Sequence, residues 1–200
     1  MKIEIIVGSH RIDSQSNKVG LWISSALSKE SVETGLISLS GNPIPLWSEA
    51  VFSGDNDWKA IWQPISSRLK AADGFVFITP EWGGMVPPGL KNFLLLCSPK
   101  EVGHKPALIV SISAGEGGAY PVAELRSTGY KNNRILFIPE HVIIRRVEQF
   151  TAAESPSDTT SDVVADRLIY GLKILTAYAE AAQHIRTSEI LDFKNFPYGQ

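Results

Sequence analysis

Short apolar runs rich in β-branched residues recur along this chain of 200 residues, and stretches with helical periodicity separate them. The three strongest runs occupy residues 3–7, 74–79 and 107–113, and weaker ones occupy 36–39 and 135–138. A continuous apolar run of this length is typical of a strand buried on both faces, as the strands of parallel sheets are. The sequence therefore predicts a parallel sheet of five strands.

The stretches between the runs carry apolar residues at the spacing of amphipathic helices. In the clearest of them the intervals are 3, 4, 4 and 3 residues, between Trp58, Ile61, Ile65, Leu69 and Ala72. Further helices are predicted at about 19–27, 88–97, 120–131 and 164–182. Strict alternation of strand and helix implies right-handed crossovers, and hence a doubly wound α/β sheet with helices on both faces.

Pro139 bears on the order of the strands. The last run, Ile135–Ile138, leads directly into it, and proline cannot donate a hydrogen bond to a central ladder. We therefore expect the last strand to lie at an edge or to break there, which the order 2-1-3-4-5 satisfies. In such a sheet ligands bind outside the carboxyl ends of the strands, where the strand order reverses. The loops after the first, third and fourth strands are thus the candidate ligand loops.

The loop after the first strand, residues 8–17, is rich in hydrogen-bond donors and leads into a helix. Hydroxyls, an amide, one guanidinium and the free N–H groups of a helix start suit a phosphate monoester. Two interpretations of this loop stay open. It is either a phosphate site or a helix start capped by Ser16 or Asn17, with Arg11 in solvent.

The other two loops are rich in glycine. Residues 79–92, after the third strand, combine paired glycines with the aromatic Trp82. This loop is either a site for a planar ligand, which would lie on the Trp82 ring, or a rigid surface loop. Residues 113–120, after the fourth strand, either expose backbone N–H groups to a ligand or form a flexible turn. Because all three loops belong to one end of one sheet, a ligand with a phosphate, a connecting chain and a planar ring would use them together.

Charge and cysteine content exclude other classes of function. Lys and Arg number 19 against 21 Asp and Glu, a balance of −2, so no overall basic field is present to hold nucleic acid. The single cysteine, Cys97, cannot form an intrachain disulfide, and the four histidines lack metal-ligand spacing, so no metal site is predicted. No apolar stretch approaches the roughly 20 residues that cross a bilayer, and the first run is too brief for a signal peptide. We therefore expect a cytoplasmic protein with neither nucleic-acid nor membrane partners.

The chain is expected to form one domain over residues 1–200, a length that suffices for one sheet and its helices. Residues 151–161, rich in Ser, Thr and Asp, predict a surface loop and not a domain linker, because only one helix follows. The tail at 187–200 carries three aromatic residues. It is expected either to pack on a neighbouring surface, including a subunit interface, or to be loose.

Two motifs carry a resemblance to a known family. Thr79-Pro80-Glu81-Trp82, followed by Pro88-Gly89-Leu90-Lys91-Asn92, resembles the signature of the NADPH-dependent FMN reductase family, usually written TPEYN and, after a short gap, PGxLKN. The resemblance extends over about residues 1–126, including the serine-rich loop after Gly8. It implies a flavodoxin-like fold, FMN as cofactor and NADPH or NADH as hydride donor. The family includes azo, quinone and chromate reductases.

The resemblance also implies which residues hold FMN. No catalytic side chain is implied, since the hydride chemistry belongs to N5 of the flavin. The implied set is Ser9, Arg11, Ser14, Ser16 and Asn17 for the phosphate; Pro80, Glu81, Trp82 and Gly83 for the ribityl chain and isoalloxazine; and Ser113, Gly115, Gly117 and Gly118 for the pyrimidine edge of the ring.

The chain departs from the signature at several positions. Trp82 stands in place of Tyr, Gly83 in place of Asn and Met85 in place of Ser, and Leu95-Leu96 replaces the Asp-Trp that commonly follows. The implied function is FMN-dependent transfer of two electrons from NAD(P)H to a small acceptor such as a quinone, an azo compound, free flavin or a metal oxyanion, in a homodimer or homotetramer. Two alternatives stay open: a flavodoxin-type electron carrier, and a non-catalytic relative whose flavin site has decayed.

Overall fold

The computed structural model describes residues 1–151 and 162–199, and within those ranges the chain forms five strands and eight helices. The strands are β1 (Lys2–Val7), β2 (Glu33–Ser38), β3 (Gly74–Pro80), β4 (Pro106–Ile112) and β5 (Leu136–Ile144). The helices are α1 (Gln15–Lys29), α2 (Ala50–Ser53), α3 (Asn56–Ala71), α4 (Pro88–Leu96), α5 (Pro99–Val102), α6 (Ala119–Thr128), α7 (Val147–Thr151) and α8 (Asp162–Thr187). Every predicted strand and helix is present, while α2, α5 and α7 are too short to show a periodicity. The surface loop predicted at 151–161 lies, beyond Thr151, outside the described residues.

All five strands are parallel and lie in the order β2-β1-β3-β4-β5, which confirms the predicted sheet and places β5 at an edge. Pro139 does not break β5. Instead, the pairing of β4 with β5 shifts register between positions 107 and 109 of β4, so the proline stands where the ladder is interrupted. The Arg126 guanidinium of α6 donates to the carbonyl oxygens of residues 138, 139 and 140 at 2.6, 2.9 and 3.2 Å, which stabilises this irregular segment.

Alternate residues of the strands pack into two apolar layers, one on each face of the sheet. From β3, Val76 and Ile78 pack into the layer that includes α1 and α8, whereas Phe75 and Phe77 pack into the layer that includes α3, α4 and α6. All four side chains are fully buried. Burial on both faces is what the continuous apolar runs predicted, and it supports the carboxyl edge from which the candidate loops emerge.

The tail after α8 packs on the chain itself. Phe193 stacks on the His104 ring with centroids 6.2 Å apart, and the Arg134 guanidinium lies 5.2 Å from the centre of the Phe193 ring. Arg134 also donates to the carbonyl oxygens of Phe196 and Tyr198, whose rings stay exposed. Residues 193–198 therefore contact His104 and Arg134 of the same chain.

Two histidines make the stability of the fold depend on pH. Burial, followed by the charge of Arg126, lowers the pKa of His141 below its ordinary 6.5, and burial, followed by the charge of Arg134, lowers that of His104. The unfolded chain therefore binds these protons more readily than the folded chain does. The contribution of the two histidines to stability is full above pH 6.5 and is lost as the pH falls through their folded pKa values.

We expect the urea midpoint of unfolding to fall between about pH 7.5 and about pH 5.5, and to fall less in a His141→Asn variant. His184→Asn provides the control, because His184 is exposed near the end of α8. The same pH dependence in both variants would show that His141 does not contribute to it.

Candidate functional site

The loops after β1, β3 and β4, called here the β1, β3 and β4 loops, leave the same edge of the sheet and stay connected there by backbone hydrogen bonds. The Gly8 N–H donates to the Ile78 carbonyl oxygen at 2.8 Å, and the Glu81 N–H donates to that of Ile112 at 3.0 Å. The Ser113 N–H donates in the same way to the last carbonyl oxygen of β5 at 2.9 Å. The structure thus brings the three sequence-predicted groups of site residues side by side.

Gly8 allows the β1 loop to approach α4 closely. A Cβ at this position would lie 2.7 Å from the Ile78 carbonyl oxygen and 2.7 Å from a methyl carbon of Leu90. Because Leu90 belongs to the second half of the signature, the start of the β1 loop packs directly on that motif.

The β1 loop is held by its own serines. The Ser14 Oγ accepts a hydrogen bond from the Asn17 N–H at 3.2 Å, so the N-cap of α1 is Ser14 and not Ser16 or Asn17 as the capping alternative supposed. Ser9, Ser14 and Ser16 are buried, and the Ser9 Oγ accepts from the Arg11 N–H at 3.3 Å. The hydroxyls therefore shape the loop around the start of α1.

Arg11 is exposed beside the start of α1 and is held through its backbone, whose carbonyl oxygen accepts from the Ser40 Oγ at 3.2 Å. Among the described residues, no side chain or carbonyl oxygen pairs with its guanidinium. The first turn of α1 carries no acidic residue, and the first N–H groups of a helix have no partner within it. The β1 loop thus offers an exposed guanidinium without a partner among the described residues and the free N–H groups of a helix start, and these are donor types that a phosphate monoester binds.

The β3 loop makes a tight turn at two glycines. Trp82 and Met85 exchange both backbone hydrogen bonds, at 3.1 and 3.0 Å, and Gly83 and Gly84 between them have φ of +57° and +79°. Positive φ at both central positions is typical of a type I′ turn, in which Asn and Gly are both favoured. Glycine at position 83 is therefore compatible with the same turn as the Asn of the usual signature.

His10 connects the β1 loop to this turn. Its ring meets the Trp82 ring edge-on, with centroids 4.1 Å apart and planes at 89°. The sequence assigned His10 no role, and its position inside a ligand loop was the only signal. The contact restrains Trp82, whose aromatic face is the surface that suits a planar ligand.

Glu81 joins the β3 loop to the β4 loop. It follows Pro80, the buried last residue of β3, and its carboxylate accepts a hydrogen bond from the Gly118 N–H at 2.5 Å. A Cβ at Gly117 would lie 2.5 Å from the same carboxylate, so glycine permits this approach. Glu81 therefore binds the neighbouring loop in this structure, and the Gly118 N–H is engaged by a side chain of the protein.

Two glycines of the β4 loop, Gly118 and Gly115, differ in their backbone conformation and in the space available for a side chain. Gly118 has φ of +105°, and a Cβ there would lie 2.5 Å from a methyl carbon of Ile143. Gly115 is free of both constraints: a Cβ there would meet no atom within 4 Å, and its N–H donates to the Ser113 Oγ at 3.2 Å. Shape thus requires glycine at 118, whereas position 115 borders open space at the edge of the site.

The second half of the signature ties α4 to its neighbours. The Asn92 Oδ1 accepts from the Trp47 N–H at 2.8 Å, and its Nδ2 donates to the Pro45 carbonyl oxygen at 2.9 Å. The Lys91 Nζ donates to the Glu124 carboxylate at 2.6 Å. Burial opposes the ionisation of Glu124, but the hydrogen bonds it accepts outweigh burial and hold its pKa below the ordinary 4.5. These residues stabilise the framework behind the site.

Cys97 supplies no reactive thiol. It is buried, and burial, followed by the charge of Glu101, raises the pKa of the thiol well above its ordinary 9.0, which keeps it protonated. Within residues 1–151 and 162–199, His, Cys, Asp and Glu side chains form no group of three or more that could hold a metal ion. No helix in those ranges has the length and apolar character that spanning a membrane requires.

Comparisons with known proteins match the whole region that carries the three loops. The sequence model of the family described as NADPH-dependent FMN reductase matches residues 1–149. A NADPH azoreductase of Bacillus sp. is 24% identical over 187 residues, which cover 92% of this chain and 98% of the relative. An NAD(P)H-dependent FMN reductase of Schizosaccharomyces pombe is 30% identical over 162 residues, which cover 73% of this chain and 78% of the relative.

A similar fold occurs among solved structures. The flavoenzyme NAD(P)H:(acceptor) oxidoreductase FerB from Paracoccus denitrificans superimposes with a TM-score of 0.66 at 21% sequence identity. The superposition covers 92% of this chain and 97% of that one. The likeness in fold therefore extends past residue 126, where the resemblance in sequence ends, through β5 and into α8.

Proposed function

Because this chain belongs to the NADPH-dependent FMN reductase family, we propose that it passes two electrons from NAD(P)H through FMN to a small acceptor. Membership confirms the resemblance carried by the two motifs and makes the chain an oxidoreductase with a flavodoxin-like fold. The proposed acceptors are quinones, azo compounds, free flavin or metal oxyanions. The names of two relatives, a NADPH azoreductase and a 2-hydroxy-1,4-benzoquinone reductase, support the first two classes.

The observation that carries the proposal is the donor set at the start of α1. Arg11, whose guanidinium is unpaired among the described residues, belongs to the same β1 loop as the serine hydroxyls, on the edge where all three loops meet. These residues fit the phosphate of FMN, and in this proposal the β3 and β4 loops flank the ribityl chain and the ring. When bound, the flavin supplies the hydride chemistry, for which none of the site's side chains is suited.

The chain's own residues bind and orient. Arg11 and the start of α1 anchor the phosphate through charge-assisted hydrogen bonds and the positive helix end. Glu81 holds the β4 loop against the β3 loop through Gly118, and His10 restrains the Trp82 ring. The open space at Gly115 leaves a route by which a nicotinamide or an acceptor can approach.

Absorbance tests the proposal directly. Protein mixed with FMN and freed of excess cofactor is expected to show flavin absorbance, and NADPH or NADH is expected to bleach it under anaerobic conditions. Addition of a quinone should then restore the colour, because the two electrons leave to the acceptor.

Each alternative function has its own outcome in this experiment. Retained colour without bleaching would favour a flavodoxin-type electron carrier. A colourless protein that takes up no FMN would rule out the enzyme and favour a relative with a decayed flavin site.

We further propose that the chain forms a homodimer or homotetramer in the cytoplasm, where a lone thiol needs no oxidising partner. Met85 and Leu95, 60% and 65% exposed, border one cavity of about 750 Å³ between α4 and α6. Exposed large apolar side chains around one cavity favour a covering subunit. Light scattering after size exclusion measures the mass, and a particle of 21.9 kDa would contradict the oligomer.

A further inference from the structure

Two adjacent arginines, Arg145 and Arg146, follow β5 at the same edge of the sheet, and the proposed FMN site does not use them. The Arg145 Nε donates to the Glu116 carbonyl oxygen at 2.6 Å, and the Arg146 guanidinium pairs with the Glu116 carboxylate at 2.6 Å. Both arginines are exposed. Because Glu116 belongs to the β4 loop, the arginines lie directly beside the loop proposed to face the flavin ring.

A cavity of about 340 Å³ opens at these arginines. Glu116 and Gln149 contribute its other polar groups, and its apolar wall is formed by Ile144, Phe150 and Val164. The lining contains two guanidinium groups and one carboxylate, which leaves it with one net positive charge. Among the described residues the terminal nitrogens of Arg145 have no partner, because its hydrogen bond is made through Nε. The cavity therefore offers donors and positive charge to an anion.

The backbone at Arg146 has a strained conformation that hydrogen bonds to the β4 loop maintain. Arg146 has φ of +47°, in the left-handed region that is strained for a residue other than glycine. Hydrogen bonds on both sides maintain it: the Arg146 N–H donates to the Gly115 carbonyl oxygen, and the Val147 N–H to that of Ser113, both at 3.0 Å. The arginine pair is thus attached to the β4 loop through backbone as well as side chains.

The spacing of the sheet separates this cavity from the phosphate donors of the β1 loop. Neighbouring strands lie about 4.8 Å apart, so β5 is about 5 Å from β4 and about 14 Å from β1. Arg11 and the arginine pair consequently stand on opposite sides of the β3 and β4 loops. A dinucleotide with its nicotinamide above those loops can extend its adenosine end toward β5, where the pair lies.

We propose that Arg145 and Arg146 bind the 2′-phosphate of NADPH and make the chain prefer NADPH to NADH. This inference rests on the proposed function, since it assigns a residue pair to the hydride donor. A phosphate dianion binds guanidinium groups more strongly than a single carboxylate does, because it offers more charge and three acceptor oxygens. The 2′-phosphate therefore takes Arg146 from Glu116 and engages the free end of Arg145.

Binding of adenosine 2′,5′-bisphosphate, measured by titration calorimetry, tests the site without any flavin chemistry. We expect it to bind the wild-type chain at least about tenfold more tightly than adenosine 5′-monophosphate or inorganic phosphate does. Arg145→Ala and the double variant Arg145→Ala/Arg146→Ala should remove this difference. Lys70→Ala, which removes an exposed cation near the opposite edge, should retain it. Equal binding of all three ligands, or a difference that survives in Arg145→Ala, would overturn the proposal.

Glu116→Gln separates phosphate binding from a purely structural role of the arginines. If the pair only anchors the β4 loop, loss of the Glu116 charge weakens the anchor and lowers affinity for every ligand. If the pair binds phosphate, the loss frees Arg146 and raises affinity for the bisphosphate more than for adenosine 5′-monophosphate, which is the result we expect.

Anaerobic reduction of the FMN-loaded protein completes the test. For Arg145→Ala we expect kcat/KM to fall about tenfold to a hundredfold with NADPH and less than about twofold with NADH. An equal fall with both nucleotides overturns the phosphate assignment. If neither nucleotide reduces the wild-type flavin, the proposed function has failed, and the calorimetric difference then decides separately whether the site exists.

Discussion

Replacement of Arg11 by alanine is expected to weaken the binding of FMN by about tenfold to a hundredfold and to leave riboflavin binding nearly unchanged. Riboflavin has the same ring and ribityl chain but no phosphate, so the difference isolates the contact of the guanidinium with the phosphate. The magnitude follows from the about 1.5–3 kcal/mol that a hydrogen bond to a charged group contributes. Quenching of flavin fluorescence on titration measures both affinities.

Two further variants refine this measurement. Arg11→Lys keeps the charge but loses the bidentate geometry, so its FMN affinity should lie between wild type and Arg11→Ala. Lys29→Ala removes a cation from the last turn of the same helix and should not change FMN binding. Equal weakening of FMN and riboflavin in Arg11→Ala would show that Arg11 shapes the loop instead of holding the phosphate.

Gly118→Ala is expected to destabilise the folded chain by about 3 kcal/mol and to displace the β4 loop. The φ of +105° is strained for any side chain, and the new Cβ would lie 2.5 Å from the Ile143 methyl carbon. Relief of that contact moves the Gly118 N–H away from Glu81, so the link between the β3 and β4 loops weakens as well. Urea unfolding measures the stability, and flavin titration measures the effect on the site.

Gly115→Ala is the matched control in the same loop. A Cβ at that position meets no atom within 4 Å, and the backbone there does not require glycine, so the change in stability should stay within about 0.5 kcal/mol. If both variants lost stability to a similar extent, the positive φ and the close contact at Gly118 would not be the cause of the loss.

The sheet could be predicted because its determinants are local in the chain. The runs at 74–79 and 107–113 are continuous and apolar, and that pattern alone indicates strands covered on both faces. Pro139 has no N–H to donate, so the strand that contains it is excluded from the centre of the sheet. The common edge of the three loops then followed from the parallel order.

The contacts within the site could not be predicted in the same way. Glu81 and Gly118 are 37 residues apart in the chain, and their hydrogen bond exists only because β3 and β4 lie side by side. His10 likewise meets Trp82 only after β1 and β3 have paired. The N-cap predicted for α1, Ser16 or Asn17, was wrong by two or three positions, since the N-cap is Ser14. All three side chains are able to cap a helix, so the sequence does not distinguish them.

By itself the sequence determined the α/β sheet, its strand order and the three loops that share an edge, since periodicity and proline chemistry act within a few residues. Only the tertiary structure decided which donors at that edge are already used. The Gly118 N–H is bound by Glu81, whereas the Arg11 guanidinium has no partner among the described residues. The physical reason is that hydrogen bonds form over about 3 Å, and such distances between remote residues arise only when the strands pack.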